Sequence, residues 1–242
     1  MTTIIEKEDF KIIQDESSPT KFTIQFTSYA ESLIKSLTKT GIILGATSTN
    51  NFHTLIFKAT IVTTFPQYIR NHKWSQNSSR IPLPKTVKIL AHLVAQLNYL
   101  ITNHCKTFIG YSPENIIVID DNKFIYISCD QLHEIDNESK SILITSPFSQ
   151  NDFFTSPEQN KITELPTRIH YKTTYFSLAS LILYTLSDKD DFNIHIKDDN
   201  SKSKREQLNY ILDGLPINSS KLYWLLSRCL VEEPNNRSIL FI

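Results

Sequence analysis

Hydrophobic and polar positions alternate along the first sixty residues. Phe22-Thr23-Ile24-Gln25-Phe26 places Phe, Ile and Phe on one face, and Phe10-Lys11-Ile12-Ile13-Gln14 alternates more weakly. Both predict strands, and the turn-forming Glu16-Ser17-Ser18-Pro19-Thr20 between them predicts a hairpin. Tyr29, Leu33, Ile34 and Leu37 recur at helical spacing, with Thr27 or Ser28 as the expected cap and Gly41 as the stop. Ile42–Ala46 and Thr54–Ala59 are expected strands around the turn Thr49-Asn50-Asn51, and Phe65–Arg70 a short helix.

The pattern then changes period. Pro84 opens an amphipathic helix carrying Val87, Leu90, Leu93, Val94, Leu97, Leu100 and Ile101 on one side, after a polar loop over Trp74–Arg80. Ile116–Ile119 and Phe124–Ile127 read as a hairpin turning at Asp120-Asp121-Asn122-Lys123, with Asp120 and Asp121 solvated. Asp130–Asp152 reads as irregular. Lys172–Leu186 is apolar nearly all round and is expected to be a buried helix. Asp188–Arg205 reads as a charged loop, followed by helices near Lys204–Leu212 and Ser219–Leu230. Strands joined by hairpins first and helices later imply an α+β fold.

Composition narrows the field. A hydrophobic share of 40% suffices for a core, and 25 basic residues cancel 25 acidic ones, so no global charge draws the chain to nucleic acid or membrane. Cys105, Cys129 and Cys229 form no metal or disulfide spacing and suit a reducing, cytoplasmic or other intracellular compartment. No signal-peptide pattern or bilayer-length apolar run is found; the best run is Leu178–Leu186. Only Gly41, Gly45, Gly110 and Gly214 occur, so no glycine-rich phosphate loop opens the chain. His104 beside Cys105 offers no nucleophile geometry, and Ser156-Pro157 is not a hydrolase elbow.

Four segments, taken in order, resemble a protein kinase domain over roughly residues 84–242. Tyr111-Ser112-Pro113-Glu114-Asn115 with its hairpin resembles the end of a catalytic loop. Ser156-Pro157-Glu158 is similar to Ala-Pro-Glu. Phe176–Tyr184 resembles the buried central helix of the large lobe. Ser227-Arg228-Cys229-Leu230 with Glu233-Pro234 and Arg237 resembles the final helices. The resemblance implies a reduced β-rich lobe over 1–70, lacking one strand, and a helical lobe over 71–242. It implies a structural ion pair between Glu158 and Arg237. The frame is also loosely similar to kinase-like proteins of large DNA viruses.

The resemblance also marks departures. Gly110 stands where the catalytic Asp belongs, Gln25 where the phosphate-pairing Lys belongs, and Ser128 where the metal-holding Asp belongs. Thr174 stands where an Asp would brace the catalytic loop. Glu31 falls where the family's pairing Glu lies, and Asn115 and Asp130 are the remaining metal candidates. These imply a pseudokinase with no catalytic residues, cofactor or metal, acting as a protein-binding scaffold or regulator. The alternative is a divergent Ser/Thr kinase using ATP and Mg²⁺ held by Asn115 and Asp130, with Glu114 or Asp130 assisting the hydroxyl. A structural relic in a larger complex is a third reading.

Overall fold

Bulky apolar residues at every second position draw the first part of the chain into one sheet. The computed structural model describes residues 1–75, 81–148, 153–187 and 204–239. Strands β1 (Thr2–Glu6), β2 (Phe10–Asp15) and β3 (Ser18–Phe26) precede helix α1 (Glu31–Lys39), followed by β4 (Thr47–Thr49) and β5 (Thr54–Lys58). They form an antiparallel sheet in the order β1-β2-β3-β5-β4. Phe10 pairs with Phe26, Ile12 with Ile24, Ile24 with Leu55, and Phe22 with Phe57. Directly paired residues share a face, so these side chains make one buried layer. Leu33, Ile34 and Leu37 of α1 join the same core. Each such side chain contributes roughly 1.5–3 kcal/mol when fully buried.

Several expectations need correction. The first sheet has five strands, among them Thr2–Glu6, which pairs with β2 although only Ile5 of it is buried. Helix α1 starts after Ala30 with no side-chain cap, and Tyr29 lies outside it, 59% exposed. Ile42–Ala46 is not a strand. Gly41 and Gly45, at φ +73° and +67°, fold it into turns that bury Ile42 and Ile43.

The second part begins with β6 (Val62–Thr64) and α2 (Phe65–Ser75), which runs through the expected boundary at residue 70. Helix α3 (Leu83–His104) has Pro near its start and ends at Cys105 in the left-handed region. Thr86, Ile89, Leu90, Leu93, Val94, Gln96, Leu97 and Leu100 are its buried stripe, while Val87 is 40% exposed. Strand β7 (Lys106–Phe108) leads to a 3₁₀ turn, Pro113–Asn115, and the hairpin β8 (Ile116–Ile119) and β9 (Lys123–Tyr126). Buried Gln96 accepts from Tyr126 N at 3.0 Å and donates to Tyr126 O at 2.8 Å, so α3 anchors the end of β9.

The segment read as irregular instead carries β10 (Leu132–Asp136) and β11 (Ser141–Ile144). With β12 (Thr167–His170) and β7 they form a sheet in the order β12-β11-β10-β7. Ile109, Ile135, Ile142, Ile144 and Ile169 give this sheet a small core of its own. After α4 (Pro157–Asn160) comes α5 (Thr173–Leu186), buried at every position but Tyr184. Helices α6 (Lys204–Gly214) and α7 (Lys221–Cys229) pack against α5. The fold is thus mixed α+β with antiparallel sheets. The expected loop over Asp188–Arg205 lies outside the described residues up to 203, and Lys204 and Arg205 are helical. Of the expected loop Trp74–Arg80, 76–80 lie outside them, and Trp74 and Ser75 end α2.

Candidate functional site

The loop from Ile109 to Asn115 is held by bonds from four directions. Ile109 N donates to Gln131 O at 2.8 Å, Tyr111 N to Ser177 Oγ at 2.7 Å, Ser112 N to Tyr126 Oη at 3.3 Å, and Ile127 N to Asn115 O at 2.9 Å. Ser177 comes from the middle of α5, so the apolar helix reaches the loop through its one central hydroxyl contact. A Cβ on Gly110 would stand 3.1 Å from Ser177 Oγ and 3.5 Å from its Cβ. The place expected for a catalytic acid is therefore backed closely by α5. Thr174 stands where the resemblance puts the bracing Asp, and it is Ser177, one turn on, that bonds the loop. Thr174 is fully buried beside Tyr111. Burial first, and Tyr126 next, hold the Tyr111 hydroxyl well above its usual pKa, with Thr174 opposing.

Across from this loop lies the β1–β2 turn. Asp9, 7% exposed, accepts from Cys129 N at 2.9 Å, and Ser128 approaches the same carboxylate. Lys7 reaches Glu114 at 3.4 Å. These contacts border an open cavity of about 640 Å³ lined by Glu6, Lys7, Glu8, Asp9, Asn115, Ser128, Asp130 and Gln131. Four acidic residues thus line it with a single lysine among the described residues. Desolvation raises the Asp9 pKa, and the charge of Asp130 raises it further, against the lowering effect of the Cys129 N–H. A second cavity of about 340 Å³ adjoins it, sharing Asn115 and Gln131, and reaches Gly110, Ser177 and Gln159.

The residues singled out from the sequence separate into three groups. Asn115, Ser128 and Asp130 converge on the larger cavity. Gln25 and Glu31 line neither cavity. Gln25 pairs with Lys11 and Thr54, on the sheet face opposite Phe22, Ile24 and Phe26. Alternation along the strand forbids it from pointing where those residues point. Glu31 is engaged by Lys35 at 2.6 Å and the Tyr29 hydroxyl at 2.5 Å. Gln25 and Glu31, at the positions of the family's Lys and Glu, thus face different surroundings, and Glu31 is held by its own helix and Tyr29. Among the described residues, no three His, Cys, Asp or Glu side chains are grouped to hold a metal.

Glu158 and Arg237 do meet. Arg237 is fully buried and donates to Glu158 Oε1 at 2.5 Å and Oε2 at 2.8 Å. Its other donors reach the carbonyls of Val231 at 2.7 Å, Glu232 at 2.7 Å and Lys172 at 3.3 Å, and its plane lies over Phe176. All five guanidinium N–H groups are used. Ser156 caps α4 through a reciprocal box with Gln159 and also bonds Thr173, fixing Glu158 in place.

Asp120 was read as a solvated turn residue, yet it works as a clasp. Its Oδ1 accepts from Thr60 N at 2.6 Å and Ile61 N at 3.2 Å, on the link between β5 and β6. No family model matches the chain, and no curated protein matches it. No helix of the described residues is long and apolar enough to cross a membrane.

Proposed function

We propose that this chain is a kinase-like domain that has given up phosphotransfer and works by binding another protein. Support for the kinase-like reading comes from the order of elements. The sheet's third strand is followed by a helix, then two further strands, α3, a loop ending in Pro-Glu-Asn, a hairpin, and a buried helix bonded back to that loop. In protein kinases the phosphate-pairing Lys sits on the third strand and its Glu partner on the following helix. Here β3 turns Ile24 and Phe26 inward instead.

One observation carries the non-catalytic part: the cavity between the β1–β2 turn and the Asn115 loop is lined by Glu6, Glu8, Asp9 and Asp130. A polyphosphate there would meet like charges. Each pair about 6 Å apart costs roughly 3 kcal/mol at an effective dielectric of about 20. Phosphoryl transfer needs cations and metal at that point. The chain takes no cofactor on this reading, its partner is a protein rather than nucleic acid or membrane, and its three free thiols suit a reducing compartment.

The divergent-kinase reading is favoured by one fact, that Asn115 and Asp130 line the same cavity. A thermal-shift titration with ATP and Mg²⁺ separates the two. Nucleotide at 100 times its Kd would stabilise the domain by ~2.7 kcal/mol. The expected result is no shift at millimolar nucleotide. A saturable shift with transfer of labelled γ-phosphate, lost in Asp130→Ala, would overturn the proposal.

A further inference from the structure

We infer that the cavity beside Gly110 receives a carboxamide, the side chain of an Asn or Gln presented by the protein partner. The inference rests on the reading of the chain as a protein-binding domain and names what that domain recognises. Gln159 is 2% exposed and lines the cavity. Its Oε1 is taken by Ser156 N at 2.8 Å. Its Nε2 lies 3.8 Å from where a Gly110 Cβ would stand, and no acceptor among the described residues reaches it. The rest of the Gln159 side chain is buried, so this amide N–H is its one group open to the cavity and can take an acceptor from outside.

Gln131 lines the same cavity, half-buried, with its side-chain amide unpaired among the described residues. It therefore offers one donor group and one acceptor. A carboxamide supplies the complement to both: its oxygen accepts from Gln159 Nε2, and its own N–H and oxygen can pair with Gln131. Phe148 and Phe154 give apolar walls for the methylenes that carry it. Glu114 at the rim and Asp130 nearby disfavour a carboxylate in the same place. The volume, about 340 Å³, is within the range of ligand pockets and leaves room for the backbone beside the side chain.

The test uses three blocked pentapeptides, alanine throughout except for a central Gln, Glu or Leu, titrated into the full chain and followed by saturation-transfer NMR. The Gln peptide is expected to saturate at about 1 mM, with the Glu and Leu peptides weaker by about tenfold or more. Gln159→Glu keeps the acceptor for Ser156 N but removes the donor, and Gln131→Leu removes the second amide. Each is expected to weaken the Gln peptide about tenfold. If Gln159→Glu fails to fold, Gln131→Leu alone decides. No saturable binding, equal binding of Gln and Glu peptides, or binding untouched by the variants would each overturn the inference. Nucleotide binding in the titration above would instead overturn the functional reading, so the two failures are distinguishable.

Discussion

Glu158 and Asp9 are both largely withdrawn from water, and their surroundings differ sharply. Glu158 meets a guanidinium whose five donors are all used, under the ring of Phe176. Asp9 meets the backbone N–H of Cys129, its own N–H and a serine, but no cation among the described residues, with Asp130 close enough to repel it. The first corner compensates its buried charge fully, as a structural joint must. The second leaves a carboxylate desolvated among like charges, a pattern that concentrates at functional sites. The contrast teaches that this chain spends its electrostatic complementarity on holding α4 to the end of the molecule. In the cleft it tolerates repulsion.

The sharpest way to break that comparison is Arg237→Ala. It strands Glu158 and three carbonyls, and about 3–5 kcal/mol of stability should be lost in urea unfolding. A loss under about 1 kcal/mol would remove the corner's claim to be a joint. Gly110→Asp comes next. Its Cβ must displace Ser177 Oγ from 3.1 Å, so a cost of about 1–3 kcal/mol is expected with no gain of phosphate transfer in a labelled-ATP assay. Appearance of transfer would show that only the acid was missing.

Asp9→Asn tests the other side. The folded-state pKa of Asp9 lies above its ordinary 3.8, so the folded state binds more protons between the two values. Stability contributed there is full below the ordinary value and falls as pH rises toward the raised one. The variant still offers an oxygen to Cys129 N, so it should flatten that fall and be at least as stable as the native chain at neutral pH. Urea midpoints measured across the acid range check it; a steeper fall would mean that the ionised form is favoured. Lys7→Ala should do least, at most about 1 kcal/mol, because its bridge to Glu114 is exposed, and the loss should vanish in high salt.

Much of the frame was readable where one period dominated. The alternation in Phe22–Phe26, the stripe of α3 and the unbroken apolar run of α5 each announce their element, because burial on one face or all faces leaves a regular trace. Strand β1 left almost none, since only Ile5 is buried, and β4 is exposed throughout. Both are held by backbone pairing, which does not depend on side-chain pattern. The site was harder. Gln25 was assigned by alignment to the family, yet its parity with Phe22, Ile24 and Phe26 already put it on the outer face; a shift of one residue reverses every side chain. Ser177 was visible only as a hydroxyl inside an apolar helix. Asp9 gave no signal, because its partner Cys129 lies on a distant segment.

The Asp120 clasp has a mechanical consequence. The short link between the sheet and the helical body is stitched to the β8–β9 hairpin by two bonds to one carboxylate oxygen and by Asp120 N donating to Ile61 O at 3.0 Å. Pulling that link away from the hairpin would have to break all three together. A single residue thus ties the start of the second part of the chain to the hairpin that follows the Asn115 loop.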